Sequence, residues 1–129
     1  MRVLVVEDDV DVREGLADLL REYSFEVNSA CEGRAALTLV DESPPDVILL
    51  DALMAGMGGA EFLAEQRRRP ELARIPVVVM TGLPPQLVVG LGAAAILSKP
   101  FHVEDVLNAI RVALSRPREN ADRAAAVAS

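Results

Sequence analysis

Short apolar runs alternate with longer amphipathic ones along the chain. This is the pattern of βα units wound around a parallel sheet with helices on both faces. Five runs read as strands, at residues 2–6, 26–30, 47–50, 76–80 and 94–97. Several are β-branched and apolar on both faces, as strands covered on two sides should be. Between them, residues 10–23 place Val12, Leu16, Leu19 and Leu20 on one helical stripe, and residues 33–42 do the same with Ala36, Leu37 and Val40. Residues 59–68 present Phe62, Leu63 and Gln66, and residues 103–115 keep Val103, Val106, Leu107, Ile110 and Leu114 in register. The segment between strands four and five is different: Pro84-Pro85 can start a helix, but Gly90 and Gly92 follow so soon that it is expected to be short and irregular.

A length of 129 residues fits one domain. We expect that domain to span residues 1–115, with residues 116–129, an Arg-Pro-Arg stretch followed by an alanine-rich end, as a tail or linker stub. No apolar run approaches the ~20 residues a bilayer helix needs. Met1 and Arg2 lead directly into a strand-like run without a signal-type spacer, so a cytoplasmic location is expected. The lone Cys31, beside apolar neighbours, reads as a small buried filler, and the single His102 excludes a site built from several imidazoles. A net charge of −7 repels phosphate backbones and acidic membranes, and four aromatics are too few for a base-stacking surface. Neither nucleic acid nor membrane is therefore expected as a direct partner. Of thirteen basic residues twelve are arginine, which leaves Lys99 as the only lysine.

In a doubly wound sheet, ligands bind beyond the carboxyl ends of the strands. There the sequence places Glu7, Asp8 and Asp9 after strand one, Asp51 after strand three, Thr81 after strand four, and Lys99 with Pro100 after strand five. Each has a plainer reading: Asp9 as a helix N-cap, Glu7 and Asp8 as complements to the helix dipole, Asp51 and Thr81 as turn residues, Lys99 as a solvated stem. Together they converge on one rim. Three neighbouring carboxylates repel unless a cation is present, and Mg²⁺ suits them because it takes one or two carboxylates, keeps waters and accepts phosphate oxygens. Asp51 could then attack a phosphoryl group, with Lys99 and the Thr81 hydroxyl neutralising its oxygens. No G-x-x-x-x-G-K-[ST] loop occurs, so the phosphate donor must come from elsewhere.

Four ordered motifs now stand out: Val5-Val6-Glu7-Asp8-Asp9; Leu49-Leu50-Asp51-Ala52-Leu53-Met54 with Gly56-Met57-Gly58-Gly59; Met80-Thr81-Gly82; and Lys99-Pro100-Phe101. The chain resembles the receiver domain of two-component response regulators from residue 2 to residue 115. The resemblance implies a flavodoxin-like (βα)5 three-layer α/β sandwich with a parallel sheet of order 2-1-3-4-5. It implies an acceptor role for Asp51, phosphorylated from the histidine of a sensor kinase or a histidine phosphotransfer protein. It also implies direct Mg²⁺ binding by Asp8 and Asp51, a water-mediated role for Glu7, and the backbone carbonyl of Leu53 as a further ligand. Thr81 becomes the switch hydroxyl, Lys99 the phosphoryl contact, and a cis Lys99–Pro100 bond is common in the family. A monomer or weak dimer, signalling to a downstream protein by contact, is the expected form, and only its own phosphorylation and slow dephosphorylation would be catalysed.

Three positions depart from the family pattern. Ala55 stands where proline is usual, Ile96 where an aromatic ring normally moves with the switch threonine, and the 81–99 segment is shorter by about one helical turn. Readout through another surface or a shifted loop is therefore expected. Leu53 and Leu83 occupy the two positions that flank the hydrolytic water in the family, and neither side chain can orient water. Two other classes remain open to the sequence: a pseudo-receiver that binds partners without phosphorylation, and a hydrolase working through an aspartyl phosphate. No output domain is read after residue 115, which leaves a stand-alone regulator or shuttle, or a piece of a larger protein.

Overall fold

The computed structural model describes residues 1–54 and 56–115. Five strands form one parallel sheet in the order β2-β1-β3-β4-β5: β1 Arg2–Val6, β2 Glu26–Ala30, β3 Val47–Asp51, β4 Val77–Thr81 and β5 Ala95–Ser98. This is the predicted fold class and strand order. The strands start or end one residue away from expectation at several points, and as a result Asp51 and Thr81 are the last residues of β3 and β4 rather than the first residues beyond them. Every residue of these two central strands is buried, which explains their unbroken apolar runs.

The helices are α1 Val10–Glu22, α2 Gly33–Glu42, α3 Gly59–Arg67, α4 Pro70–Ala73 and α5 Val103–Ser115. Asp9 caps α1 as read, its carboxylate accepting from the amides of Asp11 at 2.9 Å and Val12 at 3.2 Å. Glu32 does the same for α2, accepting from Ala35 N at 2.8 Å. The short α4 was not anticipated, since one turn is too brief to show periodicity; its cue is Pro70 at the first helical position. Between β4 and β5 the chain makes only two 3₁₀ turns, Pro85–Leu87 and Val89–Leu91, as the clustered glycines and prolines suggest.

Two clusters cover the sheet. On one face α2, α3 and α4 pack Leu37, Val40, Phe62, Leu63 and Leu72 against Leu4, Val6, Ile48, Leu50 and Val79. On the other, α1 and α5 pack Leu16, Leu20, Val106 and Ile110 against Val5, Leu49, Val78 and Met80. The buried stripe of α5 runs through Ala109 and Ala113, so Val103, Leu107 and Leu114 are only half-buried. Buried Gln66 ties α3 to α4 and to the loop before β4, its amide donating to Leu72 O at 2.7 Å and Ile75 O at 2.8 Å. Cys31 corrects the sequence reading: it is exposed, because it follows edge strand β2 on the loop to α2 rather than pointing into either cluster. The expected tail, residues 116–129, and Ala55 lie outside the described residues.

Candidate functional site

Register decides what meets at the carboxyl rim of the sheet. Val6 of β1 pairs with Leu50 of β3, Asp51 pairs with Met80 of β4, and Thr81 pairs with Ser98 of β5. Glu7, Asp51, Thr81 and Lys99 therefore arrive at one level on four neighbouring strand ends. The crevice between β1 and β3 is where strand order reverses, since β2 lies on the far side of β1.

Oxygens of Glu7, Asp8 and Asp51 lie within 4.8 Å of one another. Glu7 is fully buried, Asp51 is 6% exposed, and Asp8 is exposed. Lys99 Nζ reaches across from β5 to Glu7 Oε1 at 2.8 Å and Asp51 Oδ1 at 3.5 Å. One ammonium thus pairs with both buried acids. Burial pushes the Glu7 carboxyl above its usual range; a hydrogen bond with Asp51 reinforces the shift and Lys99 opposes it. For Lys99 burial works downward, but the hydrogen bond to Glu7 and the Asp51 charge outweigh it and hold the ammonium above its ordinary value.

The chain around these groups is organised to hold them. Lys99 N donates to Thr81 O at 2.7 Å, joining the ends of β4 and β5, and the Lys99–Pro100 peptide bond is cis. The Thr81 hydroxyl, 1% exposed, accepts from Leu83 N at 2.9 Å. Asp51 Oδ1 accepts from Leu53 N at 3.3 Å. The side chain of Leu53 points to solvent, 64% exposed. Gly59, the first residue of α3, lets that helix press onto the strand end: a Cβ there would stand 2.8 Å from Asp51 O. Sequence reading missed Arg13, whose Nη1 donates to the Glu7 carbonyl at 2.9 Å and ties the first turn of α1 over the β1–α1 loop. A contact to a main-chain carbonyl leaves no spacing signal.

The donor set suits a hard divalent cation. It offers three carboxylates with no thiolate or imidazole, partly open to water on the Asp8 side. Every candidate residue named from the sequence lies at this rim, with Leu53 held through its backbone amide. Among the described residues no helix is long and apolar enough to cross a membrane.

Comparison with known proteins gives concordant results. The response regulator receiver domain family matches residues 3–111. The sensory transduction protein RegX3 of Mycolicibacterium smegmatis is 34% identical over 127 residues, covering 95% of this chain and 54% of that protein. The transcriptional regulatory protein PdtaR of Mycobacterium tuberculosis is 36% identical over 124 residues, covering 92% of this chain and 58% of its own length. The chain spans about half the length of these curated relatives. Among solved structures, the chemotaxis protein CheY4 of Vibrio cholerae superposes with a TM-score of 0.81 at 30% identity, covering 88% of this chain and 98% of that one.

Proposed function

This chain belongs to the response regulator receiver domain family, and from that premise we propose that residues 1–115 are a receiver that takes a phosphoryl group onto Asp51 from a phosphohistidine. In the transfer, an Asp51 carboxylate oxygen bonds to phosphorus as the phosphorus–nitrogen bond breaks, and the electron pair returns to the imidazole of the donor, which picks up a proton. The donor is a histidine kinase or phosphotransfer protein, as membership of the family implies.

Asp8 and Asp51 with the Leu53 carbonyl would hold Mg²⁺ directly and Glu7 through water. When bound, the ion supplies charge neutralisation and orients the phosphoryl oxygens. The remaining work falls to the chain. Leu53 N orients the acceptor carboxylate, Lys99 supplies a fixed positive charge beside it, and the Thr81 hydroxyl stands ready to donate to an oxygen of the modified side chain. The modified rim then biases the loops after β3 and β4, and a partner protein reads the change by contact.

The observation that carries this reading is the meeting of Glu7, Asp8 and Asp51 around one ammonium at the switch point of the sheet. Incubation with acetyl phosphate and Mg²⁺, followed by intact-mass measurement, tests it. We expect a gain of about 80 Da, one phosphoryl group, lost on Asp51→Asn. No gain, or an equal gain in the variant, overturns the reading.

A further inference from the structure

β5 closes one side of the sheet, and its outer flank is unusually bare. The connection from β4 to β5 is two 3₁₀ turns rather than a helix, and α5 is the helix that packs most extensively on that strand. Between β5 and α5 runs a groove of about 580 Å³. Its wall on α5 is a single stripe, Asp105, Asn108, Ala109 and Val112, spaced three and four residues apart.

Lys99 N donates to Thr81 O, and Thr81 pairs with Ser98. Strand alternation then turns the main-chain groups of Leu97 toward β4 and those of Ile96 and Ser98 outward, while at the start of the strand Ala94 N donates to Val77 O at 2.8 Å. The edge is short, four residues, but residues 93–98 read Ala-Ala-Ala-Ile-Leu-Ser, without charge or proline along it. The opposite edge differs, since β2 presents Glu26, paired with Arg2 at 3.2 Å. Outward N–H and C=O groups at two-residue spacing are matched by another extended backbone and by little else.

We propose that the β5–α5 groove binds an extended, basic segment of a partner protein, which adds to the sheet as a sixth strand. Charge selects the class of partner. Asp105 is the charged residue lining the groove, the whole chain carries −7, and the nearby Arg111 is turned onto Asn108 Oδ1. A second copy pairing edge to edge would bring two such acidic surfaces together. A parallel strand from the same chain is disfavoured by handedness. α5 packs on the α1 face of the sheet, whereas the connections that build toward β5 run over the other face, so a strand entered from α5 would make a left-handed crossover.

The test titrates the 129-residue chain with a blocked hexapeptide of alternating valine and arginine while amide NMR shifts are followed. Shifts are expected at Ile96 and Ser98 and along Asp105, Asn108 and Val112. N-methylation of the peptide amides that face β5 keeps its charge but removes the ladder, and is expected to weaken binding by at least about tenfold. Asp105→Asn, which keeps an acceptor for the His102 amide, is expected to weaken it by about threefold. Equal binding of the N-methylated peptide, shifts centred on Glu7, Asp8 and Asp51, or closure of the edge by a dimer without peptide would each overturn the proposal.

Discussion

Glu7 is the residue at which the site's electrostatics are most exposed to measurement. Its carboxyl is held above the ordinary value of 4.5, first by burial and then by Asp51. A raised acid keeps its proton longer in the folded chain than in the unfolded one. Its contribution therefore favours folding at low pH and is lost as pH rises from 4.5 through the raised value. In Glu7→Gln the slope disappears. We expect the metal-free variant to melt above the parent chain at pH 8 and level with it at pH 4, as read by thermal denaturation monitored by circular dichroism. Lys99 has the opposite range: its raised ammonium favours folding below 10.5, and that contribution is lost above it. A second prediction concerns persistence. Leu83 is half-buried, Leu53 is exposed, and neither side chain carries a hydrogen-bonding group, so nothing at these two positions aims water at Asp51. Phosphorylated chain separated from donor should keep its label for minutes or longer on a Phos-tag gel; decay within seconds would contradict this. The acids and Lys99 were legible because strand ends are legible. Arg13 and Cys31 were not, since a guanidinium on a main-chain carbonyl and the outward turn of a loop depend on geometry that local sequence does not encode.

At the level of the element, the tightest constraint is where α3 meets β3. Gly59→Ala would set a methyl group 2.8 Å from Asp51 O and 3.0 Å from Ala52 Cα, both main-chain atoms that cannot swing aside. A loss of about 1–3 kcal/mol in urea unfolding is expected, the range for overpacking a closed contact, together with displaced amide signals at Asp51 and Ala52. Gly33 is a useful contrast, because its near neighbours are side-chain atoms of Met57, which can move. The α2 range was read from sequence without error and α1 and α3 within one residue, because each carries a periodic stripe with a capping or glycine signal at its start. One-turn α4 has no stripe to read, and what fixes it is a tertiary contact, the Gln66 amide on Leu72 O. The β4–β5 connection was legible as irregular, yet its anchoring was not. Val88 is buried between the two 3₁₀ turns, and Arg67 of α3 donates to Leu91 O, a bond across 24 residues.

For the molecule as a whole, acidity and architecture act together. Three carboxylates gathered at one rim of a chain with net charge −7 repel one another, and a bound cation would relieve that repulsion. A ligand that binds only the folded form stabilises by mass action, by about 1.4 kcal/mol at ten times its dissociation constant. The melting temperature should therefore rise with Mg²⁺ between micromolar and millimolar concentrations, flatten in Asp8→Asn and Asp51→Asn, and stay unmoved by an equal ionic strength of NaCl. A parent chain indifferent to Mg²⁺ in differential scanning calorimetry would remove the ion from the account. The fold itself was legible at this scale because alternation of period two and period 3.6 is a property of the whole chain and survives errors of a residue at any boundary.

The contact between the Thr81 oxygen and the Leu83 amide has one more consequence. It works as a tether: should the hydroxyl swing toward an occupant on Asp51, it must either release residue 83 or haul the following backbone along. Replacement by valine keeps the shape and cuts the cord, so local travel at position 81 would no longer be felt at position 83.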